Sequence, residues 1–432
     1  MSYRLSGRAV FRDGTRNVSI QVDSGTIIAV EPLAQEPDSW PIIFPGFIDS
    51  HVHAREYARP RGEDVGAVQK WQAALEKETF STAGRAAING GVTLYAAMPN
   101  DARPPDDSQT YDAKMEISHS SPCPTVLFAC VTRDSEPWAD LPYKVYLDSD
   151  PSPYAFTSWQ ALETTLARYS GCRVFFHAED PDVLRASQGS GPRWKVRPAE
   201  AELRAVERLL DWTAKLGLRS HVCHVSTEGA VRLIREFNDH SSIPVTCEAA
   251  PHHLFFSMNG GEVTSASGQR PAMPQLLDCN PPLRSEQDRR FLVEALRDGS
   301  VPILASDHAP HTQEDKDRGA PGMPHLDTLG AFAGWLLNRC AFTPTRIAQA
   351  LSEAPGKLLA PDLDKPQGMI EPGAWASFTI LDPTGSTLVE GASIRGRGPL
   401  QTRCKWSPFS GIELPGSVTA TIIRGEKCLF ES

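Results

Sequence analysis

The sequence predicts an α/β protein built around a closed (β/α)8 barrel of the TIM type. Three observations lead there. Apolar runs of about six residues recur through the middle of the chain, at 42–48, 91–97, 125–131, 143–147, 173–176, 220–223, 244–248 and 301–305, which makes eight strand candidates. Helical patterns fall between most of them, at 71–88, 159–169, 198–216, 227–237 and 285–297. Alternating strands and helices imply parallel βα units, and eight such units close a barrel. A doubly wound sheet is the competing arrangement, but its G-x-G-x-x-G turn is missing.

The two ends of the chain read differently. Short strands are expected at 8–12, 17–22 and 26–31, with Asp23-Ser24-Gly25 as a turn, and again at 376–381 and 417–424, before the turn Gly425-Glu426. Three long loops follow strand candidates, at 56–68, 100–108 and 259–274. In a barrel such loops gather at the C-terminal face of the strands, where active sites form.

Composition narrows the function class. The chain has 432 residues, 40% of them apolar, enough for a large core. Lys and Arg total 43 against 53 Asp and Glu, a net charge of −10, and no basic run is interleaved with aromatics, which disfavours nucleic acid as a partner. No apolar run approaches the ~20 residues of a membrane span. The first residues, MSYRLSGRAVFRDG, lack the apolar stretch of a signal peptide. Nine cysteines with no C-x-x-C pair fit buried, reduced thiols and a cytoplasmic location.

The chemistry-bearing residues cluster at strand ends. His51 and His53, two apart on a strand, share a side and offer two imidazoles to one metal, although a surface pair on an edge strand gives the same string. Lys144 interrupts the apolar run Tyr143–Leu147, where an ammonium is costly unless paired. A buried lysine amine can add CO2 to form a carbamate with two ligating oxygens, and a lysine snorkelling at a strand edge is the plainer alternative. His177 follows the fifth run. His221 and His224 flank the end of the sixth, one suited to ligation and the other to packing. Asp307 follows the eighth, where a carboxylate can bind metal and move a proton, or simply cap the turn. Together these residues converge on one barrel face. Two metals fit, one among His51, His53, Lys144 and Asp307, the other among Lys144, His177 and His224.

This pattern resembles the amidohydrolase superfamily and, within it, the dihydroorotases. His51-Val52-His53-Ala54-Arg55-Glu56 is similar to their H-x-H-x-R-E string, and Met98-Pro99-Asn100 to M-P-N. Asn280-Pro281-Pro282-Leu283-Arg284 matches N-P-P-L-R, while Pro251-His252-His253-Leu254 matches a P-H-H-L shared with hydantoinases. Trp406-Ser407-Pro408-Phe409 resembles the W-S-P-F segment near the family's C-terminus. The resemblance spans nearly the whole chain. It implies a barrel at 46–361 and a small composite β-sandwich domain formed by 1–45 and 362–432. It also implies two zinc ions bridged by carboxylated Lys144, and reversible cyclisation of N-carbamoyl-L-aspartate to L-dihydroorotate. Asp307 is the implied acid and base. Arg55, Asn100 and His311 would contact the substrate carboxylate, and Asn280 the ring. A homodimer is expected, with aspartate transcarbamoylase as a candidate partner. Two departures are visible: Tyr57-Ala58 stands where relatives often have Pro-Gly, and the loop after Lys144 lacks the Thr-Phe pair of some animal-type loops. Two readings compete. A hydantoinase or allantoinase would keep the metals without needing Arg55, and a silent dihydroorotase-like subunit would have lost ligands that are all present here.

Overall fold

The computed structural model describes residues 2–33, 41–60, 62, 64–149, 152–189 and 191–428. Arg61 and Glu63 of the first long loop, and Asp150 and Pro151 of the loop after Lys144, lie outside the described residues, as do 34–40 and 429–432 of the chain ends.

Eight parallel strands form the barrel: β1 (Phe47–Val52), β2 (Val92–Ala97), β3 (Thr125–Leu127, continued by Ala129–Cys130), β4 (Pro142–Leu147), β5 (Arg173–His177), β6 (Arg219–Val222), β7 (Thr246–Ala249) and β8 (Ile303–Leu304). Each pairs with the next in sequence order. Helices cover the outer face and side chains fill the interior, so most strands are buried on both sides and read as continuous apolar runs. The ring closes where Val52 pairs with His308: His53 N donates to His308 O at 2.8 Å and His308 N to His51 O at 3.2 Å.

The run at 42–48 does not form one strand. Ile42–Pro45 pairs parallel with Ser2–Phe11 and antiparallel with Phe378–Glu390, and only Phe47 onward enters the barrel. The division falls at Gly46, where a Cβ would lie 2.2 Å from Thr93 Oγ1, so the chain passes hard against β2 there. Strands from both chain ends join Ile42–Pro45 in one nine-stranded sheet. Ile20, Ile27, Ile43 and Phe378 fill its own apolar core.

Two further expectations are corrected. The helix expected at 71–88 is two, Val65–Lys77 and Phe80–Asn89, because Glu78 turns inward with no exposure and Thr79 starts a new helix through a capping box with Thr82. The stretch at 259–274 is not wholly irregular: Phe256–Asn259 and Glu262–Ser265 form a hairpin turning on Gly260 and Gly261, both at positive φ, which glycine adopts freely. Among the described residues no helix is long and apolar enough to cross a membrane, and all nine cysteines are free thiols.

Thr379, fully buried, pins the end sheet to the barrel. Its Oγ1 accepts from Phe47 N at 3.0 Å and donates to Gly91 O at 2.6 Å. Thr379→Val keeps the shape but strands a buried N–H and a buried C=O. It is expected to lower unfolding stability by ~2 kcal/mol in a urea titration; an unchanged midpoint would show that the pin carries no load.

Candidate metal centre and active site

The closing bond between β1 and β8 decides what faces what. It brings Asp307 onto the two histidines at the end of β1. His51 Nε2 and His53 Nε2 each stand 3.4 Å from Asp307 Oδ1. Two ligands of one tetrahedral ion, at bonds of ~2.0–2.1 Å, lie about 3.3 Å apart. Each imidazole is also held from behind: His51 Nδ1 lies 2.6 Å from Glu248 Oε1, and His53 Nδ1 2.6 Å from Asn100 Oδ1. Those acceptors place the proton on Nδ1 and leave Nε2 bare toward Asp307, the tautomer a metal requires.

A second pair of histidines faces this group. His177 Nδ1 and His224 Nε2 are 3.1 Å apart, a spacing that suits one shared proton or one shared cation, and His177 Nε2 is held by Glu179 at 2.9 Å. The His224 and His51 rings lie 5.1 Å apart. His221 does not join them. Its Nδ1 meets Thr246 Oγ1 at 2.8 Å and its Nε2 lies 3.2 Å from Glu248 Oε2, so it packs beneath the site. Lys144, fully buried, repels protons from His51, His53 and His224. Its Nζ donates to Cys223 Sγ at 2.8 Å and stands 5.0 Å over the Tyr146 ring. Burial pushes that thiol up to about 12, so the group Lys144 touches is neutral, and no carboxylate forms an ion pair with Lys144 among the described residues.

Burial sets the charge states. It draws His51 down to about 4, aided by Lys144, and draws His53 and His224 well below the usual histidine range. All three are therefore neutral, as ligands must be. Burial also pushes Asp307 well above the usual carboxylate range, with Glu248 adding to the shift and Lys144 and Arg55 opposing it. Glu248 is desolvated too, but its contacts with His51 and His221 outweigh that and hold its carboxyl well below the usual range. Neutral imidazoles, a carboxylate and a buried amine make a donor set that fits divalent transition ions such as zinc.

These groups open into a cleft of about 330 Å³ that also exposes Arg55, Asn100, Asn280 and His311. A larger hollow of about 560 Å³, between the end sheet and the helices at 344–359, brings no such ligands together. Arg55 Nη2 meets His311 Nε2 at 3.3 Å, its Nε has no partner, and no carboxylate pairs with it among the described residues. Asn100 reaches the cleft with its amide oxygen already engaged by His53, so the amide N–H2 is what remains for a ligand. Asn280 Oδ1 accepts from Arg193 Nη1 at 2.9 Å. Arg55, His224 and Asp307 all sit at positive φ, three of the seven such non-glycine residues described. Backbone of that kind costs of order 1–3 kcal/mol per residue and persists only where the surroundings enforce it.

The remaining sequence strings act as braces. Trp406 Nε1 donates to His311 O at 2.9 Å. Arg284 donates to Arg197 O and Ser226 Oγ. His253 Nε2 meets Pro281 O at 3.0 Å, and His252 Nε2 lies 3.9 Å from Asp307 Oδ2. Buried Glu78 accepts from Thr402 Oγ1 at 2.6 Å and faces His308 Nε2 at 3.1 Å, tying the C-terminal segment to the residue beside Asp307. Sequence reasoning missed Glu248, Glu179 and Arg197. An acid inside the apolar run of β7 was the available signal for Glu248, as the lysine in β4 was for Lys144. Arg197 binds both Glu179 and Asp148, so it anchors the loop after Lys144 to the partner of His177.

Comparison with known proteins gives the chain's family and fold. Residues 42–135 match the model of the amidohydrolase family. The chain is 33% identical to the dihydroorotase of Thermococcus kodakarensis, over 98% of this chain and 93% of that protein. It is 30% identical to the dihydroorotase of Pyrococcus abyssi, over 89% and 83%. Among solved structures it resembles an L-hydantoinase (dihydropyrimidinase) from Arthrobacter aurescens, with a TM-score of 0.82 at 22% identity over 97% and 94% of the two chains. It also resembles a D-hydantoinase (dihydropyrimidinase) from Thermus sp., with a TM-score of 0.78 at 20% identity over 98% and 94%. At those identities the likeness to the two hydantoinases is one of fold.

Glu248→Ala removes the acceptor behind His51 and frees His221. It is expected to weaken divalent-ion affinity by roughly 10–100-fold in competition with a chelator. Wild-type affinity in that variant would mean that His51 is oriented by packing alone.

Proposed function

This chain belongs to the dihydroorotase family of the amidohydrolases, and from that membership we propose how its cleft interconverts N-carbamoyl-L-aspartate and L-dihydroorotate. One observation carries the substrate assignment: Arg55, half-buried beside the histidine–aspartate cluster, makes no ion-pair contact with a carboxylate among the described residues, and its terminal nitrogen meets only His311. Both forms of the substrate bring the missing carboxylate, and a guanidinium takes a carboxylate through two parallel hydrogen bonds. A neutral hydantoin would leave that cation unmatched.

The residues have distinct tasks. Arg55 and His311 bind the carboxylate, with Asn100 offering its amide N–H2 beside them. Asn280 faces the ring. His51, His53 and Asp307 would hold one zinc ion, and His177 and His224 a second. Lys144, once its amine has added CO2, would supply two oxygens to the ions; an amine buried with no carboxylate in ion-pair contact among the described residues suits conversion to an anion between two cations. Two such ions polarise a carbonyl and acidify a water toward ~7 when bound. Asp307 accepts the proton of the attacking water as oxygen joins the ring amide carbon. It returns that proton to the ring nitrogen as the carbon–nitrogen bond breaks. Ring closure runs the same path backwards and starts from protonated Asp307. The burial that raises the Asp307 carboxyl serves that direction.

Protein supplied with zinc and bicarbonate should open dihydroorotate, followed by loss of the ring's ultraviolet absorbance, and a chelator should stop it. An inert, metal-loaded sample that turns over a neutral hydantoin would overturn the reading. Asp307→Asn should cut kcat by more than ~10²-fold. Arg55→Lys should raise KM for dihydroorotate by about tenfold or more, since a point charge replaces a two-pronged donor; unchanged KM would remove Arg55 from the carboxylate site.

A further inference from the structure

Part of the cleft wall is made of irregular backbone. Asn280, Ala309, Pro321 and Gly322 line it, and none lies in a strand or helix. Such a wall needs something to fix it, and two cations converge there. Lys316 is 4% exposed. Its Nζ donates to Asp278 O at 3.0 Å, Ala320 O at 2.8 Å and Gly322 O at 3.0 Å. An ammonium has three N–H groups, and here all three go to main-chain carbonyls on two separate segments. No carboxylate forms an ion pair with Lys316 among the described residues, so its burial is offset by this cross-link. Gly322 N adds a main-chain bond to Asp278 O at 2.8 Å.

Arg193 works on the same two segments from the rim. Its Nη1 donates to Asn280 Oδ1 at 2.9 Å, its Nη2 to Gly319 O at 2.7 Å, and its Nε lies 3.7 Å from Asp278 Oδ2. A guanidinium only donates, so it selects the amide orientation of Asn280: oxygen toward Arg193 and N–H2 away from it.

We propose that Arg193 and Lys316 are positioning residues that clamp segments 278–280 and 319–322 together, so that Asn280 meets a ring carbonyl oxygen of the substrate as a hydrogen-bond donor. This rests on the dihydroorotase reading of the cleft. Neither cation touches the reacting atoms. Both act through Asn280, and their loss falls on substrate binding rather than on the chemical step.

The test uses the metal-loaded, full-length enzyme and steady-state ring opening of dihydroorotate by wild type, Arg193→Met, Lys316→Met, Asn280→Ala and the Arg193→Met/Asn280→Ala double variant. The expected result is a KM raised about tenfold in Arg193→Met with kcat within about threefold of wild type, at unchanged metal content and melting temperature. Lys316→Met should show the same split. The double variant should be no worse than Asn280→Ala alone, because a residue that acts only through Asn280 has nothing left to lose. Unchanged KM in Arg193→Met, or losses that multiply in the double variant, would overturn the proposal. If Lys316→Met does not fold, Arg193→Met decides, since its side chain is 21% exposed and its loss leaves the core intact. A wild type that fails to open dihydroorotate sinks the dihydroorotase reading instead.

Discussion

The site depends on the seam between β1 and β8. Parallel strands at the seam exchange backbone bonds through His308, and those bonds hold the end of β1 in register with the turn after β8. Asp307 lies one residue before the bridge and His51 and His53 flank Val52, its partner, so the register places all three donors at one point. A slip of one residue would send the side chains to the other face of the wall. The positive φ at Asp307 is part of the same constraint: the chain turns there so that the carboxylate points back over the mouth while His308 stays in the ladder.

Around the seam, buried charge is arranged so that the histidines remain neutral without being idle. Burial removes the protons of His51, His53 and His224, Glu248 and Asn100 orient the first two, and Lys144 discourages reprotonation of all three. Glu248 is the economical element. One carboxylate in β7 serves Ser50, His51 and His221, and so links β7 to the ends of β1 and β6 across the barrel interior. Such a group is costly alone and stable only when every lone pair is used.

Much of this was legible in the chain. Fully buried parallel strands must be apolar runs, and a lysine or histidine that interrupts one must have a reason to be there; Lys144 and the H-x-H pair stand out on that ground alone. The barrel follows from the alternation of those runs with helical patterns, and the family resemblance from the strings around His51, Asn100, Asn280 and Trp406. What periodicity cannot convey is which residues meet across the ring. Glu248 reads as an oddity in β7 until β7 is seen to lie one strand from β1 across the closing seam. Asn100 reads as a substrate contact, yet its oxygen orients His53 and only its amide N–H2 is left over. The split of 42–48 between two sheets turns on the close approach of Gly46 to Thr93, a contact between distant elements. The ammonium of Lys316 carries no pattern at all in sequence, because its partners are main-chain carbonyls, which every residue type possesses.

The tie from Glu78 and His308 to Thr402, and from His311 to Trp406, has a consequence for how the molecule comes into being. All the candidate ligands leave the ribosome before the segment that steadies the last of them. At ~5–20 residues per second, translation needs roughly 5–20 s to cover the gap. During that interval the nascent chain presents histidines and a carboxylate with an unbraced β8 turn, an open chelator rather than a shaped one.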